Sequence, residues 1–315
     1  MVKDFYAIGH ITNDLEPHPH VGGGVTYASV VAKRLGLSAH IITKCAIDSP
    51  YIQELEDMGI TMHILPTRDK KYKGKTTAFR NRYDKKGNRT QICPETSESI
   101  TAEDFMHFPE ISPSSIVLIA SVIGEVGLDL FPILSQRHKF AMTPQGYFRK
   151  LDNKHVVSVG PASYDFFTHT DTTILSEEDL SFSKDGRYLD TLKTVCPVVV
   201  CTQAEEGSQI FVHKEEMADI PAFTLTEEEI VDFTGAGDSY AASFLVRKAQ
   251  GYSLKEAGYF ASLYAALKIS GLGGKGHGLV TLPTERQIEN YIQTHAARIN
   301  AFHNFPRFNE KKFVM

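Results

Sequence analysis

The segment Asp232-Phe233-Thr234-Gly235-Ala236-Gly237-Asp238 sets three small residues and two carboxylates where an irregular stretch runs into an apolar helical pattern. Side chains this small let backbone N–H groups close on an anion, and the positive end of a helix dipole adds to the attraction. A phosphate fits such a mouth. Asp238 falls in the first helical turn, where a carboxylate can take a proton from an alcohol attacking a phosphoryl group. The Gly235, Ala236 and Gly237 amides would hold the charge that develops on the transferring oxygens. The plainer alternative is an acid that merely favours a helix start.

Two other strings invite a chemical reading and fail on context. Gly271-Leu272-Gly273-Gly274-Lys275-Gly276 matches GxGxxG, but a dinucleotide fingerprint follows a strand and opens a helix, whereas this run follows a long helical pattern and leads to Pro283. It reads as a helix cap and loop. No GxxxxGK[ST] run occurs, and His18 and His20 sit in a Pro-rich loop with no further ligand in sequence.

The elements that must carry the loop alternate in type. Phe5 to Ile8 reads as a strand ending at Gly9, Thr12 to Gly24 as loop, Val25 to Leu35 as a helix stopped by Gly36, and Ala39 to Thr43 as a strand. The rhythm returns with Ile116 to Ala120, a helix around Leu128 to Leu134, then Phe140 to Met142, Thr173 to Leu175 and Val198 to Cys201. It predicts an α/β fold with a mostly parallel, doubly wound sheet flanked by helices. Thr234 to Lys248 and Ser253 to Ser270 read as two helices packed together, Glu285 to Phe302 as one more, and Arg307 to Lys312 as a frayed basic tail.

One stretch departs from the rhythm. Thr77, Phe79, Asn81 and Tyr83, then Arg89, Gln91 and Cys93, alternate on either side of Asp84-Lys85-Lys86-Gly87-Asn88, the pattern of a β-hairpin. A hairpin pairs poorly inside a parallel sheet. Residues 66–98 are therefore expected to form a small β lid on a single domain spanning 1–315, covering a cleft or meeting its copy in a homodimer; a bare surface hairpin is the alternative.

Composition bounds the partners. With 42% hydrophobic and 23% charged residues the chain is an ordinary globular protein, and a net charge of -5 argues against nucleic acid or an anionic membrane. The four cysteines show no CxxC spacing, which suits a reducing compartment, and Cys196 and Cys201 bracket a strand-like apolar run. No apolar run approaches the ~20 residues of a membrane span and no signal-like segment opens the chain, so a cytoplasmic protein is expected.

The loop 232–238 resembles the second signature of the PfkB carbohydrate kinase family, D-T-x-G-A-G-D, through Asp232, Thr234, Gly235, Ala236, Gly237 and Asp238, with Phe233 at a tolerant position. The resemblance implies a ribokinase-like fold, ATP, magnesium, and potassium near Asp232 and Thr234. It extends to Asp14 as a substrate-gripping aspartate and to Gly22-Gly23-Gly24 as a substrate loop. Tyr27 stands where many sugar-specific members carry Asn, which removes a furanose-binding hydrogen bond. Ser176-Glu177-Glu178-Asp179 takes the place of the N-x-x-E motif, so Ser176 and Asp179 would order magnesium through water. Thr202 to Gly207, with Ala204 for a glycine, would lie along the nucleotide, and Ser262 falls where ribokinases contact the base.

Thr76 to Tyr83, Gly87 to Gln91 and Pro144 to Arg149 resemble the inositol-kinase-like members, which implies a polyol substrate, a cyclitol such as myo-inositol first. Chemically, Asn81, Gln145 and Arg149 can read several ring hydroxyls or steady a phosphate. The competing readings are a nucleoside or ribose-type kinase and, motivated by Tyr27, Ser176, Asp179 and Ala204, a non-catalytic sugar- or nucleotide-binding regulator. Asp238 speaks against the regulator.

Overall fold

The computed structural model describes residues 2–302 apart from 17, 84–88 and 107. Among them the strands in chain order are β1 (Asp4–Ile8), β2 (Thr12–Asp14), β3 (His20–Gly22), β4 (Ser38–Thr43), β5 (Ile60–Ile64), β6 (Thr77–Tyr83), β7 (Arg89–Glu95), β8 (Ile116–Ala120), β9 (Phe140–Thr143), β10 (Arg149–Leu151), β11 (Val157–Val159), β12 (Thr172–Ser176), β13 (Val198–Thr202), β14 (Ser208–Val212) and β15 (Glu215–Ile220). Nine of them form one sheet in the order β15-β14-β13-β12-β9-β8-β1-β4-β5. From β13 to β5 every pairing is parallel, and β14 and β15 add an antiparallel edge.

Strand alternation divides the core in two. Leu118, Ala120, Val198 and Val200 join the cluster on one face, while Val117, Ile119, Val199 and Cys201 join the cluster on the other. A sheet apolar on both faces must be covered twice, which is the doubly wound arrangement read from the sequence. The helices Gly24–Arg34, Ala236–Ala249 and Leu254–Ile269 cover the first face. Phe244, Leu263 and Leu267 in that layer are fully buried, each stabilising the fold by roughly 1.5–3 kcal/mol relative to exposure.

A second, four-stranded sheet runs β3-β2-β6-β7. The β6–β7 hairpin forms as its alternation predicts, and its expected turn at 84–88 lies outside the described residues. The stretch 12–24, read as loop, supplies β2 and β3: Asp14 lies opposite Phe79 in a parallel pairing with β6 and opposite His20 in an antiparallel one. Strands of three residues pair through their backbones, and a sequence as polar as Thr-Asn-Asp shows no apolar alternation to betray them.

The last helical pattern also differs from expectation. It divides at His295 (φ -118°, ψ 35°) into Glu285–Thr294 and Ala296–Ala301, and the basic tail lies outside the described residues. All four cysteines are free and buried. Among the described residues no helix is long and apolar enough to cross a membrane.

Candidate active site

Loops at the carboxyl ends of the parallel strands converge on the start of helix Ala236–Ala249, the place where open α/β sheets bind ligands. Gly235 caps this helix at φ 75°, ψ 11°, a left-handed turn that a side chain would strain. A Cβ there would also drive into the ring of Tyr27, so glycine is required twice over. Gly237 is the opposite case: nothing lies within 4 Å of the position its Cβ would take, and the mouth is open on that side. The Ala236 N–H donates to Phe233 O (3.1 Å), so this one of the three expected anion-binding amides is committed to the turn.

The glycine loop at the start of helix Gly24–Arg34 meets Asp238 directly. A Cβ on Gly24 would sit 2.8 Å from Asp238 Oδ1, and a Cβ on Gly22 would fall 2.8 Å from Thr12 Oγ1 and against the Asp14 carboxylate. Gly23 caps the helix at φ 95°, with the His10 carbonyl 2.7 Å from where its Cβ would be. Asp14 accepts from Thr12 Oγ1 at 2.9 Å. The glycine turn 22–24 thus lies between the Asp14 and Asp238 carboxylates.

Burial pushes the Asp238 carboxyl up to about 6; the positive charge of Arg149 holds it down and the negative charge of Asp179 adds to the rise. Arg149 opens β10, donates from Nη1 to Val122 O at 2.8 Å, and lies 5.2 Å from the centre of the Phe79 ring. Its charge therefore acts on Asp238 and Asp179 from a position against Phe79 of the small sheet. Asp179 is raised by burial against the hydrogen bonds it accepts on Oδ2 from Ser176 N–H and Oγ–H, both 2.9 Å. Ser176 Oγ in turn accepts from the Asp179 N–H at 3.2 Å.

This reciprocal bonding makes Ser176 and Asp179 a capped turn in which the Ser176 bonds fall on Oδ2 of Asp179, so Oδ1 is the oxygen that could meet a magnesium-bound water. Among the described residues no group of three or more His, Cys, Asp or Glu could hold a metal, so magnesium here would take its other ligands from phosphate and water. The neighbouring turn is joined to it: Glu177 N–H donates to Thr202 O (3.0 Å) and Gln203 Nε2 to Glu177 Oε1 (2.7 Å). Ala204 takes φ 48°, a left-handed conformation that costs roughly 1–2 kcal/mol without glycine. Gly207, at φ 108°, passes so close to the Ile220–Ala222 backbone that a Cβ cannot fit.

The remaining residues named from the sequence make the following contacts. Tyr27 is 2% exposed, its ring beneath Gly235 and its hydroxyl without a hydrogen-bond partner, so it floors the loop instead of touching substrate. Burial first, then Asp232, Asp14 and Asp238, raise that hydroxyl far above the usual phenol range. Ser262 Oγ donates to Pro221 O (2.9 Å) and accepts from Phe223 N–H (3.1 Å), which commits it to the fold and not to a base. Asn81 Oδ1 accepts from Gln91 Nε2 across the hairpin at 3.2 Å, and Gln145 is exposed at the start of the short helix Gln145–Phe148. Thr234 is exposed, with its N–H on Asp232 Oδ1 at 3.0 Å.

Two positioning residues escaped the sequence reading. Buried Glu125 accepts from the N–H groups of His10 (2.9 Å) and Ile123 (2.8 Å) and from Ser121 Oγ (2.8 Å), binding the loop after β8 to the end of β1. Lys268 is wholly buried beneath the anion loop. Its signal was present, a lone charge inside the run Ala265-Ala266-Leu267-Lys268-Ile269.

The profile of the pfkB family carbohydrate kinases matches residues 15–277. A nucleoside kinase of Methanocaldococcus jannaschii is 22% identical over 283 residues, covering 88% of this chain and 86% of that one. An inositol 3-kinase of Arabidopsis thaliana is 27% identical over 120 residues, 38% of this chain, and the match spans only 32% of that relative's length. Among solved structures, a pyrophosphate-dependent ribokinase-family kinase complexed with a pyrophosphate analogue and myo-inositol superposes with a TM-score of 0.71 at 21% identity, over 91% of this chain and 99% of the other. At that identity the likeness establishes the ribokinase fold.

Proposed function

The chain belongs to the pfkB family of carbohydrate kinases, phosphotransferases with a hydroxyl acceptor, and from that premise we propose that it phosphorylates a small cyclitol at the expense of ATP. The observation that carries the reading is the contact of Asp238 with the Gly24 turn on one side and the open Gly237 mouth on the other. A hydroxyl gripped by Asp14 and the glycine loop would lie between base and phosphoryl group. A carboxylate titrating near 6 is ionised at neutral pH yet basic enough to accept a proton as the oxygen attacks. The Gly235–Gly237 turn and the helix dipole then receive the charge on the transferring oxygens. Magnesium, when bound, would neutralise phosphate oxygens, with Asp179 holding one of its waters.

The small sheet serves as a lid: Phe79 on β6 stacks against Arg149, whose charge already acts on Asp238, and a lid seated there over substrate excludes water from the reacting groups. A nucleotide donor, as opposed to pyrophosphate, is favoured by the exposed apolar residues beside the loop, Phe233 at 65%, Val280 at 44% and Val231 at 43%, which a purine would cover. The likeness to an archaeal nucleoside kinase supports a second reading, a nucleoside acceptor. A direct assay of phosphorylated product with cyclitols, pentoses, hexoses and nucleosides, with ATP and pyrophosphate each as donor, separates these. Turnover with a cyclitol that disappears in Asp238→Asn supports the proposal, and turnover confined to nucleosides or to pyrophosphate refutes the corresponding part.

A further inference from the structure

The family resemblance implies a monovalent cation beside Asp232, and the oxygens there do not fit one. Asp232 O and Asp232 Oδ2 each accept from Lys268 Nζ at 2.8 Å. Oδ2 also accepts from Gly278 N–H at 2.8 Å, and Oδ1 from Thr234 N–H at 3.0 Å. Every oxygen of Asp232 thus faces a donor, and a metal ion would have to displace a positive charge whose own side chain is 0% exposed. Breaking such a buried pair strands an uncompensated carboxylate.

We propose that the Lys268 ammonium is a built-in replacement for the monovalent cation, a positioning residue that fixes Asp232, whose carboxylate joins the 232–235 loop to Gly278, and makes the anion mouth independent of potassium. Its two N–H···O bonds do what cation–oxygen contacts would do: they fix the carbonyl and carboxylate of the residue that opens the loop. Burial alone would raise Asp232, but hydrogen bonds from Lys268, Thr234 and Gly278 bring it down to about 2, while burial lowers Lys268 and Asp232 partly restores it. Tyr27, beneath the same loop, packs its ring on Gly235, so a displaced loop would misplace the mouth next to Asp238.

The inference rests on phosphoryl transfer for its kinetic test, and an ion-binding test keeps the two separable. Crystals of the full chain grown in rubidium chloride, read by anomalous scattering, should show no ion on Asp232, whether or not any acceptor is turned over; an ion there overturns the proposal. With an acceptor in hand, replacing potassium by tetramethylammonium should change wild-type kcat by less than about twofold, and a drop of about tenfold or more overturns it. Lys268→Met should lose about tenfold or more in kcat and regain part of it with added potassium or ammonium but not with tetramethylammonium. A folded Lys268→Met whose loss no cation relieves would make Lys268 merely structural and refute the replacement role. If that variant does not fold, the two wild-type measurements decide alone.

Discussion

Removing the guanidinium of Arg149 tests the electrostatics of the site most directly. In the wild type Asp238 titrates at about 6, with Arg149 holding it below what burial and Asp179 would impose. A neighbouring guanidinium depresses a carboxylate by about 1–3 in pKa, so in Arg149→Met the Asp238 carboxyl should titrate at about 7–9. At pH 7 the ionised, competent fraction then falls from about nine-tenths to somewhere between one-half and one-hundredth, and the rate falls by about 2- to 100-fold from protonation alone. The assay is the pH dependence of kcat/KM: the acid limb, near 6 in the wild type, should move up by at least about one pH unit, with activity recovering at alkaline pH. Arg149→Lys serves as control, since it keeps the charge while losing the planar contact with Phe79. An acid limb that stays near 6 in Arg149→Met would refute the assignment of that limb to Asp238, or of Arg149 as the charge that governs it.

Asp238→Asn should lower kcat by about 10²- to 10⁴-fold while ATP binding, followed by calorimetry, persists. Because folding raises this carboxyl, its stabilising contribution is whole below about 4 and is lost as pH climbs through about 6, so the neutral variant should be the more stable protein above pH 6. The gain is up to about 3 kcal/mol, and a melting-temperature difference present at pH 8 and absent at pH 4 is the check. Gly235→Ala meets both a positive φ and the Tyr27 ring and should lower Tm, with an expected cost of about 2–5 kcal/mol, whereas Gly237→Ala meets nothing, should leave Tm unchanged, and should lower kcat by crowding the mouth. Tyr27→Phe removes a buried hydroxyl that has no partner, so Tm should hold or rise and the acceptor KM should not change; a several-fold rise in KM would place Tyr27 against substrate after all.

The anion loop was legible because its residues carry their own geometry. Small residues at 235–237 followed by an acid announce a loop running into a helix, so loop, helix start and carboxylate could be read as one unit, while the left-handed cap at Gly235 is seen only in the structure. The parallel sheet was legible too, since strands apolar on both faces alternate with helical patterns. The hairpin around 84–88 showed its alternation, but β2 and β3 did not, being short, polar and held by backbone pairing that leaves no periodic trace.

What the residues dictate by local preference is therefore the alternation of the main parallel strands with helices and the presence of a carboxylate at a helix mouth. Tertiary structure decided the rest: that Tyr27 lies under the loop, that Ser262 spends its hydroxyl on the 221–223 backbone, that the charge of Arg149 acts on Asp238, and that Lys268 lies buried on Asp232. Each is a pairing between side chains or loops far apart in sequence. Such a pairing depends on which groups burial deprives of water and which partners remain within reach, a question that spacing along a chain cannot answer.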